Sequence, residues 1–172
     1  TLVGRGALGR LEPFLRGLGD EAKQQGRVSS DVYMGQQCLA AEIIGGLVRG
    51  MARWAPDDVA YGRSVVTEAL GHVLRAPEIE SAAIWASCLR FAIYHRHPSK
   101  TGWLLTFLFD AGLPPHGDTG ASSVSACKRM MLLRHVVKEL GWRGAPLQRQ
   151  LAHDLLPFLT SPLAQTRTCV GS

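Results

Sequence analysis

Proline recurs along this chain at near-constant intervals: Pro13, Pro56, Pro98 and Pro146 stand 43, 42 and 48 residues apart. A proline cannot continue a helix from within, because it lacks the amide proton and its ring crowds the carbonyl four residues back. Its fixed φ nevertheless suits the first helical turn. Each mark is therefore expected to open a helix. Pro77 falls midway between the second and third marks and Pro162 follows the fourth by 16 residues, so the chain reads as a two-helix repeat. Composition agrees with helices. Only 7% of the residues are aromatic and Leu and Ala lead the apolar set, which disfavours an all-β domain. With 46% hydrophobic and 19% charged residues the chain has enough apolar surface to fold.

The segments between the marks carry helical periodicity. Residues 31–54 follow the Ser29-Ser30 pair as N-cap, with Asp31 in the first turn. Their apolar stripe is expected at Leu39, Ala40, Ile43, Leu47, Val48 and Met51, with Glu42, Arg49 and Arg53 off it. Pro56 opens a helix over 56–75, and Pro77 one over 77–96. In the latter, Ala82, Ala83, Ile84, Trp85, Leu89, Phe91, Ala92 and Ile93 cover most of the circumference, which predicts an inner-layer helix. Further helices are expected over 99–111, 122–141, 146–159 and 162–172, with the glycine- and proline-rich stretch 112–123 as a loop that lengthens the last period. Residues 1–30 read as the end of a preceding repeat, with its helix at 8–18, plus a polar linker from Gly19 to Ser30. Two helices per period of about 40 to 47 residues is the pattern of HEAT and armadillo repeats. The expected fold is an all-α, HEAT/armadillo-like α-solenoid of antiparallel helix pairs, about three and a half repeats, severed at both ends and truncated at the C-terminus.

Several function classes drop out. No apolar run approaches the roughly 20 residues a membrane helix needs, and the opening TLVGRGALGR lacks a signal-peptide core. The chain starts at Thr1 and reads as part of something longer. Cys38, Cys88, Cys127 and Cys169 lie about one per repeat with no C-x-x-C pair. They are expected as buried thiols in a reducing compartment, cytosol or nucleus, and not as disulfides, zinc ligands or nucleophiles. His95 and His97 straddle Arg96 at a helix end and do not share a helical face, so no metal site is expected. No paired carboxylates, phosphate-cradling glycine loop or nucleophile elbow is present, so the chain is not expected to be an enzyme and has no catalytic candidates.

The surplus of positive charge concentrates at Lys128, Arg129, Arg134, Lys138 and Arg143, with Glu139 the one acid among them. Such a helix face can hold a polyanion. Without interleaved aromatics, direct nucleic-acid binding is not expected of it, and a solvated face is the plainer reading. Gly45 and Gly46, inside a strong helix, suggest close helix packing.

The run Gln37-Cys38-Leu39-Ala40-Ala41-Glu42-Ile43-Ile44-Gly45-Gly46-Leu47-Val48-Arg49-Gly50, followed by Trp54, combines an AEI core, two small residues and a Leu-x-Arg-Gly exit. It resembles the C-terminal part of the large HEAT-repeat proteasome activators, the Blm-type family also called proteasome activator complex subunit 4. The resemblance continues weakly through His97 to Lys100, Trp103-Leu104, Gln148 to Leu159 and Thr168 to Ser172; residues 1–30 carry none. It implies a non-catalytic fragment of a dome-like solenoid that caps the proteasome core particle and promotes degradation of peptides and acetylated histones without ubiquitin or ATP. It also implies links to DNA repair and residence in nucleus and cytoplasm. Inositol phosphates are the cofactor the resemblance implies for the parent, and the basic face is then expected to line the lumen. The family's tail with a penultimate Tyr and its bromodomain-like segment are expected beyond Ser172, so no functional residue is carried over. The residues leave two other readings open: a HEAT-type nuclear transport or adaptor scaffold, and a DNA-binding HEAT module.

Overall fold

The computed structural model describes residues 5–23, 30–75, 81–113, 123–161 and 164–171, and all of them lie in helices or the turns between. Contacts divide the chain into two units, residues 1–76 and 77–172. The architecture is all-α and HEAT-like, with no strand among the described residues.

The first unit contains α1 (Arg5–Lys23), α2 (Ser30–Gly50) and α3 (Pro56–Arg75). α3 packs chiefly on α1, and α2 lies against α3. Leu8, Leu15 and Leu18 of α1 meet a core that includes Val65, Val66, Ala69, Leu70 and Val73 of α3. Three expectations are corrected here. Pro13 does not open a helix; it sits inside α1, which begins at Arg5 and runs on into the supposed linker as far as Lys23. A mid-helix proline costs about 3 kcal/mol. Burial of the three leucines, at about 2 kcal/mol each, offsets it. The buried stripe of α2 is Tyr33, Gln37, Ala40, Ala41, Ile44, Leu47 and Val48, leaving Leu39 54% exposed and Ile43 half-buried. The helix is so rich in apolar residues that several stripes fit its sequence, and its partners choose among them. Gly45 is buried and Gly46 exposed, and a Cβ on Gly46 would meet nothing within 4 Å, so close packing does not explain Gly46.

α2 stops at Gly50, short of the expected 54, because the chain tightens into a 3-10 turn at Met51–Arg53 and Trp54 turns extended ahead of Pro56. Trp54 then folds back onto α3. A Cβ on Gly62 would lie 2.8 Å from Trp54 Cζ3 and 3.0 Å from Met51 Cε, so only glycine gives the indole its seat.

The second unit contains α4 (Ala82–Ile93), α5 (Pro98–Gly112), α6 (Ser123–Leu140), α7 (Ala145–Leu159) and α8 (Ala164–Gly171), with a 3-10 turn at Gly141–Gly144. α4 lies closest against α6, α6 against α8 and α5, and α7 against α8. Packing of alternate helices is what stacked two-helix repeats require. Buried Ala82, Ala86, Cys88 and Ala92 on α4, and Ala126 and Cys127 on α6, let these two helices approach closely. α4 is not apolar all round in its burial: Ala83, Ser87, Arg90, Phe91 and Tyr94 form an exposed stripe, so within its unit it is amphipathic and not an inner helix. It ends at Ile93, not 96, because His95 takes a left-handed φ of 52° and the Arg96 amide bonds to the Ile93 carbonyl at 3.0 Å. α7 continues past Pro157 to Leu159. The expected helix start at 77, nearly all of the loop at 112–123 and Pro162 lie outside the described residues.

Candidate functional site

The five basic residues singled out in sequence do not share one surface. On α6 the residues Lys128, Met131, Arg134, His135 and Lys138 recur at helical spacing and are half-buried or exposed. Lys128, Arg134 and Lys138 therefore lie on one broad side of the helix. Arg129 lies at the spacing of buried Val136 and Leu140, and its Nε is buried, so it belongs to the packed side of the helix. Arg143, beyond the helix, is spent on structure. It donates from Nε to the Leu140 carbonyl at 3.3 Å, from Nη2 to the Glu139 carbonyl at 2.7 Å and from Nη1 to the Arg96 carbonyl at 3.0 Å. These are carbonyls that a helix end and a turn leave without partners, and a guanidinium fork satisfies several at once. Glu139 compensates the charge: it accepts from Arg90 Nε at 2.7 Å and lies 3.7 Å from Arg143 Nη2.

Beside the basic stripe lies an apolar groove of about 330 Å³ between α6, α7 and α8. Met130, Leu133 and Val137 form one wall, Leu151 and Leu155 the other, Val170 closes one end, and Arg134 and Lys138 stand at the rim. α7 supplies its wall because Leu151 and Leu155, one turn apart, face the same way from a helix that starts at the Gly144–Ala145 junction. The groove lies at the small end of ligand-pocket sizes.

A second, more open depression of about 490 Å³ is lined by His95, Arg96, His97, Trp142 and Arg143. It forms where the α4–α5 turn meets the α6–α7 turn. Trp142 is 85% exposed, the most exposed large apolar side chain of the described residues. It stands outside any helical periodicity, and its one local signal is an indole between Gly141 and Gly144 in a turn.

No group of three His, Cys, Asp or Glu residues able to hold a metal occurs among the described residues. Cys88 and Cys127 are buried and Cys38 is half-buried, while the Cys169 side chain lies outside the described residues. No described helix is long and apolar enough to cross a membrane.

Stacked helix pairs with cationic and aromatic side chains gathered on turns and one helix stripe define the class: a HEAT-like helical scaffold. The chain belongs to the proteasome activator complex subunit 4-like, HEAT repeat-like family, whose model matches residues 25–135. It is 30% identical over 146 residues to proteasome activator complex subunit 4 of Xenopus laevis. It is likewise 32% identical over 146 residues to subunit 4A of Danio rerio, and 29% over 143 residues to the Homo sapiens protein. These alignments cover 83 to 85% of this chain and 8% of each relative, so the chain spans about one twelfth of their length. No solved structure matches it.

Proposed function

We propose that this chain is a non-catalytic wall segment of a proteasome activator, a regulator of peptidase activity and not a peptidase. The observation that carries the reading is the family match over residues 25–135, laid on helices whose alternate members stack as HEAT-like repeats do. In the finer reading, the parent caps the proteasome core particle and promotes breakdown of peptides and acetylated histones without ubiquitin or ATP, in nucleus and cytoplasm and in connection with DNA repair.

The face of Lys128, Arg134 and Lys138 fits a polyanion such as an inositol phosphate, because Arg134 and Lys138 stand one turn apart and Lys128 lies on the same broad side of α6, outside the buried positions. Arg129 and Arg143, turned to the core and to backbone carbonyls, are left out of that set.

The test is a chimera of the human relative in which this chain replaces the matching 143-residue stretch. Co-sedimentation with purified core particle and stimulated hydrolysis of a fluorogenic peptide are the expected results. A chimera that folds, as judged by circular dichroism, but neither co-sediments nor stimulates would refute the reading. Charge reversal at Lys128, Arg134 and Lys138 is expected to remove inositol hexakisphosphate binding; binding that survives it rules this stripe out.

A further inference from the structure

Trp142 and Trp54 occupy comparable places, each in the turn between paired helices and shortly before a proline, and the fold treats them differently. Trp54 is seated on Gly62. Trp142 is 85% exposed, so its own unit leaves nearly the whole indole in solvent. Around it stand His95, Arg96, His97 and Arg143, and no carboxylate is among the described residues lining the depression. Glu139 beneath is 11% exposed and already shared by Arg90 and Arg143.

From this juxtaposition we infer that the paired turns, 94–97 and 141–144, form a docking surface for an acidic protein segment that lays an apolar side chain on Trp142 and carboxylates beside Arg96 and the histidines. Two helices end at these turns and two begin there, so the helix dipoles oppose one another and the sign of the site rests on its side chains. Those are cationic. Arg143 adds charge but little direct grip, because its fork is spent on the carbonyls of Arg96, Glu139 and Leu140. This distinguishes the occupant. Phosphate recognition relies on available guanidinium forks, and binding of single-stranded nucleic acid relies on a row of stacking aromatics. One indole in a diffusely positive basin suits an acidic peptide, and Trp and Arg are the residue types that anchor protein interfaces. His97 caps α5: its Nδ1 accepts from the Ser99 amide at 3.2 Å, which turns Nε2 away from its own helix.

The surface does not depend on the proteasome reading, and it is tested on the chain itself. The probe is a short fluorescein-labelled peptide of alternating Glu and Leu, followed by fluorescence anisotropy at low salt. A Lys and Leu peptide of equal length and single-stranded oligothymidylate serve as rivals. The acidic peptide is expected to bind best, and Trp142→Ala and Arg96→Glu are each expected to weaken it about tenfold, a loss typical of an interface anchor. Trp142→Phe should lose less than Trp142→Ala. Because Trp142 is exposed, its substitution should leave the melting temperature unchanged, so lost binding cannot be ascribed to unfolding. Absent binding, equal binding by the Trp142→Ala variant, or tighter binding of oligothymidylate would each overturn the proposal.

Discussion

The Arg143 guanidinium donates through Nη1 to the backbone carbonyl of Arg96 at 3.0 Å, across 47 residues of sequence. With its bonds to Glu139 and Leu140 it joins the end of α6 to the α4–α5 turn, and so fixes the two turns beside each other. The contact is made by a residue that composition alone would assign to the solvent.

Replacing Arg143 by Ala strands these carbonyls. Hydrogen bonds from a charged donor contribute about 1.5 to 3 kcal/mol, and partial exposure lowers that here, so a loss of about 1 to 2 kcal/mol is expected in urea unfolding. Arg143→Lys should not restore it, because an ammonium cannot reach several carbonyls in a fixed fork. Full rescue by Lys would show that charge, and not geometry, is what matters.

Two glycines should respond in opposite directions. Gly62→Ala puts a methyl group 2.8 Å from the Trp54 ring and should cost about 1 to 3 kcal/mol. Gly46→Ala, with open space at the new Cβ, should stabilise α2 by about 0.5 to 1 kcal/mol. Thermal melts of the pair check both signs; a stabilising Gly62→Ala would displace Trp54 from its seat.

The phase of α2 is tested by its leucine and isoleucine. Ile44 is 1% exposed and Leu39 54%. Ile44→Ala is therefore expected to cost about 2 to 5 kcal/mol, and Leu39→Ala about 0.5 kcal/mol or less. Equal losses in chemical denaturation would mean that α2 is rotated from the position described.

Acid should loosen the link between α1 and α3. Tyr61 donates to Glu12, and Arg16 bonds Glu12 at 2.8 Å and also reaches Glu68. The Tyr61 hydroxyl, and then Arg16, hold the Glu12 carboxyl below its ordinary value. A group whose folded pKa is lowered contributes stability that is fully present above the unfolded value, about 4.3 for Glu, and lost as pH falls through the folded one. Urea midpoints taken from pH 7 down to pH 3 should therefore fall more for the parent than for Tyr61→Phe. Parallel profiles would exclude the bond.

Much of the fold was legible because helix signals are local. Pro56 and Pro98 mark helix starts wherever the chain goes, for their ring geometry acts on adjacent residues alone. Pro13 misled because the same ring is tolerated inside α1 once Leu8, Leu15 and Leu18 are buried. The basic residues were legible as a cluster, but their directions were not: Arg129 and Arg143 are turned away from the stripe by packing and by carbonyls that no sequence window contains.

The sequence by itself determined an all-α chain of two-helix periods and its kinship with a proteasome activator family, since both reside in residue types and their spacing. Tertiary structure alone decided that α2 buries Ile44 and not Leu39, and that Trp54 is seated while Trp142 stands in solvent. The reason is physical: periodicity sets the pitch of a helix, but its burial phase is chosen by partners remote in sequence, and Trp54 packs against α3 only because Gly62 there leaves room for it.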